Sequence, residues 1–136
     1  MSSPPVDDRE DADFDDESYT MFADGYWLTR SAMRWFWDQY LNDAAERSLS
    51  TVSPLRARAD ELRGLPKTLV INAECDVLRD EGESYARNLR QAGVDVTATR
   101  YAGIIHDFMM LNALADTNAA KAATAQAAAF LREALH

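Results

Sequence analysis

Two residues of this 136-residue chain have side chains suited to joint acid–base work. One is Asp76, in Glu74-Cys75-Asp76-Val77-Leu78-Arg79-Asp80-Glu81-Gly82; the other is His106, in Ile104-Ile105-His106-Asp107-Phe108. A carboxylate beside an imidazole holds the ring in one tautomer and stabilises the imidazolium formed when the ring takes a proton. A triad would also need a nucleophile, and none is evident. The five glycines (Gly25, Gly64, Gly82, Gly93, Gly103) never bracket a serine with one residue on either side, and no two are adjacent. Cys75 is flanked by Glu74 and Asp76, whereas a reactive thiolate needs electropositive surroundings. A plainer reading stays open: a lone acid after a strand often caps a helix, and Asp80-Glu81 favour a helix dipole.

The acid and the base act together only if the fold brings them together. Thr68-Leu69-Val70-Ile71-Asn72-Ala73 is a continuous apolar run, the pattern of a parallel strand covered on both faces. Residues Asp80 to Ala92 follow as a helix with acids in its first turn, Tyr85 and Leu89 on one face, and Gly93 in the left-handed position that ends it. Val94 to Tyr101 then alternates apolar and polar, completing a strand–helix–strand crossover of right-handed type. Asp76 lies immediately after the first strand and His106 a few residues after the second. Functional residues gather beyond the carboxyl ends of parallel strands, and neighbouring strands lie about 4.8 Å apart, so the two side chains fall within reach.

Upstream, Thr29 is a candidate N-cap for a helix whose Met33, Phe36, Trp37, Tyr40 and Leu41 form a stripe expected to face the core. A last helix, from about Thr117 to Leu135, places Ala123, Ala127, Phe130, Leu131 and Ala134 on one stripe. Residues 1 to about 18 are an acidic arm, expected to be disordered or loosely docked, with 19–136 as the folded part. Asp11, Asp13 and Asp15 alternate like calcium-loop ligands, but Asp16 and Phe22 stand where that loop needs Gly and Glu. No metal and no cofactor are expected.

Of the net charge of −9, residues 7–17 hold −7, so the rest of the chain is nearly neutral. Nucleic acid is therefore not an expected partner. No apolar run is long enough to span a membrane, no cleaved signal is indicated, and the single cysteine cannot form an internal disulfide, so a reduced, cytoplasmic chain is expected. His136, the terminal residue, is expected to be solvated.

Several stretches together resemble one family: Phe22-Ala23-Asp24-Gly25-Tyr26-Trp27-Leu28-Thr29, Ser53-Pro54-Leu55, Leu65-Pro66-Lys67-Thr68-Leu69-Val70-Ile71, Asp76-Val77-Leu78-Arg79-Asp80-Glu81-Gly82 and Tyr101-Ala102-Gly103-Ile104-Ile105-His106. From about residue 13 to its end the chain resembles the C-terminal portion of an α/β-hydrolase of the hormone-sensitive-lipase-like carboxylesterase group (α/β hydrolase fold-3). The resemblance implies an α/β fold in which the two strands, their crossover helix and flanking helices are the last part of an eight-stranded sheet, so that 19–136 is a partial α/β-hydrolase domain. It also implies that Asp76 is the triad acid and His106 the triad base, in the order that such hydrolases use. The family's serine elbow and glycine-rich oxyanion loop lie N-terminal to the matched region, and neither motif occurs here. Asp107 stands where the family usually has Gly.

The expected function is that of a truncated carboxylic-ester hydrolase, inactive alone and acting on a small ester only when an N-terminal half complements it. The alternative is a non-catalytic remnant whose first strand offers an unpaired edge for self-association.

Overall fold

The structure, a computed structural model, describes residues 14–135. Along the chain lie α1 (Glu17–Met21), α2 (Arg30–Tyr40), α3 (Ala59–Leu62), β1 (Thr68–Cys75), α4 (Arg79–Gln91), β2 (Val96–Ile105) and α5 (Asn118–Leu135), with 3-10 turns at Ala44–Ser48, Pro54–Arg56 and Asn112–Leu114. The architecture is α/β: β1 and β2 pair in parallel, and α4 connects them.

Alternate side chains of a strand point to opposite faces, and each face of the pair carries one helix. On one face α4 packs through Leu89 and Ala92 against Val94 and Leu62, with Tyr85 and Val96 alongside. Gly82 in this helix sits where a Cβ would overlap the side chain of Asn72, so its lack of a side chain lets α4 lie close on β1. The Arg100 guanidinium donates from Nε and an Nη to the two oxygens of Glu83 at 2.6 and 2.8 Å, tying β2 to the same helix. On the other face Ala120 and Ala123 of α5 pack with Ala73, Ile104 and Phe108. Small side chains here bring the helix close enough for Gln126 to donate to Thr99 Oγ1 at 2.8 Å and to accept from Tyr101 Oη at 2.9 Å. A third cluster, at the carboxyl end of β1, joins Phe14, Tyr19, Phe22 and Val77, with Met33 and Trp37 against it.

Thr29 caps α2, its Oγ1 accepting from the Ala32 amide at 3.0 Å, and Gly93 ends α4 with φ +86°. Three expectations change. First, the acidic arm cannot extend to residue 18, because Phe14 and Ser18 are buried; Asp11, Asp13 and the rest of the arm lie outside the described residues. Second, α2 has no buried residue: Met33 and Trp37 reach the third cluster, whereas Phe36 and Tyr40 are 52% and 66% exposed. Third, β1 is half-buried along its length, with only Ala73 fully covered, since among the described residues it pairs on one side alone. In α5, Leu131 and Ala134 are exposed, the buried contacts being made a turn or more earlier.

Leu89 is 1% exposed in the α4 face. Leu89→Ala is expected to cost about 2–5 kcal/mol, from lost burial plus the cavity left behind. Chemical denaturation read by circular dichroism checks this, and a loss below about 1 kcal/mol would show that α4 does not pack as described.

Candidate active site

The positions of Asp76 and His106 follow from strand register. From Thr68↔Val96 to Ala73↔Tyr101 the two strands pair residue for residue, but the next pair is Cys75↔Ile105. Two steps on β1 thus match four on β2, a bulge that advances β2 by two residues. β2 therefore runs to Ile105, past the Tyr101 end expected from alternation, and His106 follows the strand directly instead of a few residues later. Continued without the bulge, the earlier register would set Asp76 opposite Ile104.

Gly103 lies in the bulge with φ +68°, a left-handed conformation that costs other residues about 1–2 kcal/mol. Its amide donates to Glu74 Oε2 at 2.6 Å. Glu74 thereby satisfies a backbone group that the interrupted ladder leaves over, a role its sequence position did not reveal.

Both oxygens of the Asp76 carboxylate are engaged. Oδ1 accepts from the Leu78 amide at 2.9 Å, and Oδ2 lies 2.8 Å from His106 Nδ1. A carboxylate can only accept, so Nδ1 carries the proton in this bond and the neutral ring presents its lone pair at Nε2. Asp76 is 7% exposed, and the backbone around it turns directly into α4. Asp76 is not the N-cap of α4, a place taken by Leu78 without a side-chain cap; one of its oxygens secures the turn before the helix, and the other meets the imidazole.

Asp107 adopts φ +61°, the region Gly favours and Asp tolerates, and its Oδ1 lies 3.3 Å from His106 Nε2. The hydrogen bond to Asp76 raises the His106 pKa above its ordinary 6.5; burial opposes this, and the charges of Asp76 and Asp107 add to the rise. Burial and then Glu74 push the Cys75 thiol up, with Arg79 opposing them.

His106 borders a cleft of about 750 Å³ whose walls include Trp37, Val52, Leu55, Ile71, Tyr85 and Phe108. Val52 and Leu55 flank Ser53-Pro54, so that motif lines the same cleft as the histidine. Among the described residues no group of three or more His, Cys, Asp or Glu is placed to hold a metal ion, and no helix is long and apolar enough to cross a membrane.

Because the folded His106 pKa is raised, the pairing stabilises the folded chain fully below about 6.5, and this contribution is lost as pH rises through the folded value. Asp76→Asn should lower the His106 pKa and remove that acid-side stabilisation, as read by imidazole ¹⁵N titration beside denaturation at several pH values. His136→Gln identifies the second histidine's signals. An unchanged His106 titration would mean that the 2.8 Å bond does not exist in solution. Gly103→Ala is expected to cost about 1–2 kcal/mol and to weaken the same bond; a titration curve matching that of the unaltered chain would count against the bulge as its support.

The alpha/beta hydrolase fold family matches residues 1–110. Among curated relatives, a carboxylic ester hydrolase, LipN, of Mycobacterium tuberculosis is 38% identical over 113 residues, covering 82% of this chain and 30% of the relative. An ethyl acetate hydrolase of Pseudomonas putida is 37% identical over 97 residues, covering 71% and 30%. Among solved structures, a thermostable esterase from Pseudomonas putida superposes with a TM-score of 0.89 at 53% identity, over 90% of this chain and 39% of that one. A thermostable carboxylesterase from a metagenomic library gives 0.79 at 36% identity, over 88% and 40%. The chain spans about a third of the length of the curated relatives it matches. With four-fifths of its sequence matched by the family and its elements laid out as in these esterases, the chain belongs to the alpha/beta hydrolase fold family.

Proposed function

We propose that this chain supplies the acid and the base of a serine carboxylic-ester hydrolase, with Asp76 and His106 as the catalytic pair. The nucleophile and the oxyanion donors would come from residues outside this sequence. The observation that carries the reading is the 2.8 Å contact between Asp76 Oδ2 and His106 Nδ1 at the border of an apolar cleft. Likeness to esterases over nearly the whole chain supports it.

In the proposed mechanism a serine hydroxyl at the cleft attacks the ester carbonyl carbon and its proton passes to His106 Nε2. Asp76 stabilises the resulting imidazolium. As the carbon–oxygen bond to the alcohol breaks, Nε2 returns the proton to the leaving alkoxide, leaving an acyl-serine. Water then repeats the sequence: Nε2 takes its proton, the hydroxide attacks, and the carboxylic acid departs as the serine is reprotonated. The apolar walls suit the hydrocarbon part of a small ester, while the preorganised oxyanion donors supply the largest electrostatic contribution.

The chain alone should not hydrolyse a short p-nitrophenyl ester above background. Co-expression with the part of the Pseudomonas putida esterase that it does not match should give turnover, and His106→Ala should lower that turnover by about 10³-fold or more. Turnover by the complemented chain that ignores His106→Ala would refute the assignment. Since the base must be neutral, the acid limb of the pH–rate profile should fall above 6.5, and Asp107→Asn should move it lower.

A second reading rests on surface. Beyond β2, β1 has no strand partner among the described residues, and Trp35, Phe36 and Tyr40 are exposed on α2. An unpaired edge beside exposed aromatic side chains favours association. The isolated chain should therefore self-associate; sedimentation as a compact monomer at micromolar concentration would remove this reading.

A further inference from the structure

The segment before α2 does more than fill space beside the acid. Ser18, in α1, is fully buried although it directly follows the acidic run. Its Oγ donates to the Val77 carbonyl at 2.6 Å, and its amide donates to Asp80 Oδ2 at 2.8 Å. Both partners lie about 60 residues away in sequence, Val77 on the turn that carries Asp76 and Asp80 in the first turn of α4. The neighbouring residues fix α1 there. Tyr19 is fully buried, meets Phe14 edge to face at 5.1 Å, and lies in one cluster with Val77. Asp80 is held in turn by Arg79, whose Nε donates to Asp80 Oδ1 at 2.8 Å while its guanidinium lies over the Phe22 ring.

The Val77 carbonyl and the Leu78 amide belong to the same peptide unit. That unit is planar, so orienting its C=O also orients its N–H. At one end Ser18 Oγ grips the C=O; at the other the N–H donates to Asp76 Oδ1 at 2.9 Å. The remaining oxygen of Asp76 meets His106 Nδ1. Four groups thus form one chain: Ser18 hydroxyl, Val77–Leu78 peptide, Asp76 carboxylate, His106 imidazole. Each hydrogen bond also polarises the next, because accepting at C=O makes the N–H a stronger donor.

We propose that Ser18 is a positioning residue for the acid–base pair, orienting the Asp76 carboxylate toward His106 through the Val77–Leu78 peptide plane. The proposal rests on the reading of Asp76 and His106 as a functional pair but extends it to a residue distant from the cleft in sequence. Losing the hydroxyl frees the peptide to rotate, loosens the Leu78-to-Asp76 bond and lets the carboxylate turn away from Nδ1. The charges facing His106 are Asp76 and Asp107, both unaltered in number by this change.

The test is the His106 titration in the full chain, followed by imidazole ¹⁵N shifts in Ser18→Ala, Ser18→Cys and Leu89→Ala. Ser18→Ala should lower the His106 pKa by about 0.5 or more and weaken the low-field Nδ1 proton signal. Ser18→Cys, which keeps a weak donor in similar volume, should fall between Ser18→Ala and the unaltered chain, and it serves on its own if the alanine variant does not fold. Leu89→Ala loosens the fold away from the turn and should leave the titration in place. Unchanged titration in the Ser18 variants overturns the proposal, as does an equal shift in Leu89→Ala, which would mark a general effect of destabilisation. Because no turnover is needed, a shifted titration with no activity on complementation would retain the role of Ser18 while refuting the esterase reading.

Discussion

The two-residue slip between β1 and β2 is the constraint on which the site depends. Parallel pairing alone would carry the register of Thr68↔Val96 straight through and leave Asp76 opposite the wrong residue. The bulge changes the register over the last turn of the ladder, and the cost of the interruption is offset locally: Gly103 takes the left-handed conformation and Glu74 accepts its stranded amide. The site is therefore built from an irregularity in the sheet, which Gly103 and Glu74 maintain.

Around that junction, polar groups are used economically. Asp76 divides its oxygens between the turn that leads into α4 and the histidine, so the same carboxylate secures that turn and holds the imidazole. Asp80 likewise receives both the Ser18 amide and the Arg79 guanidinium, and its charge lies at the favourable end of the helix dipole. His106 sits between Asp76 and Asp107, and both push its pKa upward against the opposing effect of burial.

The apolar surfaces follow the same geometry. Clusters on the two faces of the sheet are closed by α4 and α5, whereas the flank holding β1, α2 and the cleft is open. Phe36 and Tyr40 are shaped like core residues yet lie exposed, and Ile71 and Ala73 line the cleft as well as the α5 face. This chain corresponds to about a third of its relatives' length, and surface of this kind is where further sheet and helix would pack in such a fold.

Local signals in the sequence determined the elements and their order. Thr29 caps α2 because a threonine hydroxyl suits an exposed amide, the Thr68 run forms a strand because its apolar β-branched residues favour one, and Asp76 and His106 belong beyond strand ends because the crossover places them there. The family was legible for the same reason, its motifs being short and contiguous. Tertiary structure alone decided the rest. Register depends on which backbone groups meet across two strands, so the bulge, the extension of β2 to Ile105 and the role of Glu74 had no local signature beyond a glycine. Burial depends on what lies opposite: the α2 stripe has helical periodicity whether or not anything covers it. Ser18 was hidden for a related reason, since its neighbours are acidic and its partners are about 60 residues away; only the packing of Tyr19 and Phe14 against Val77 turns the end of a charged run into the support of the acid.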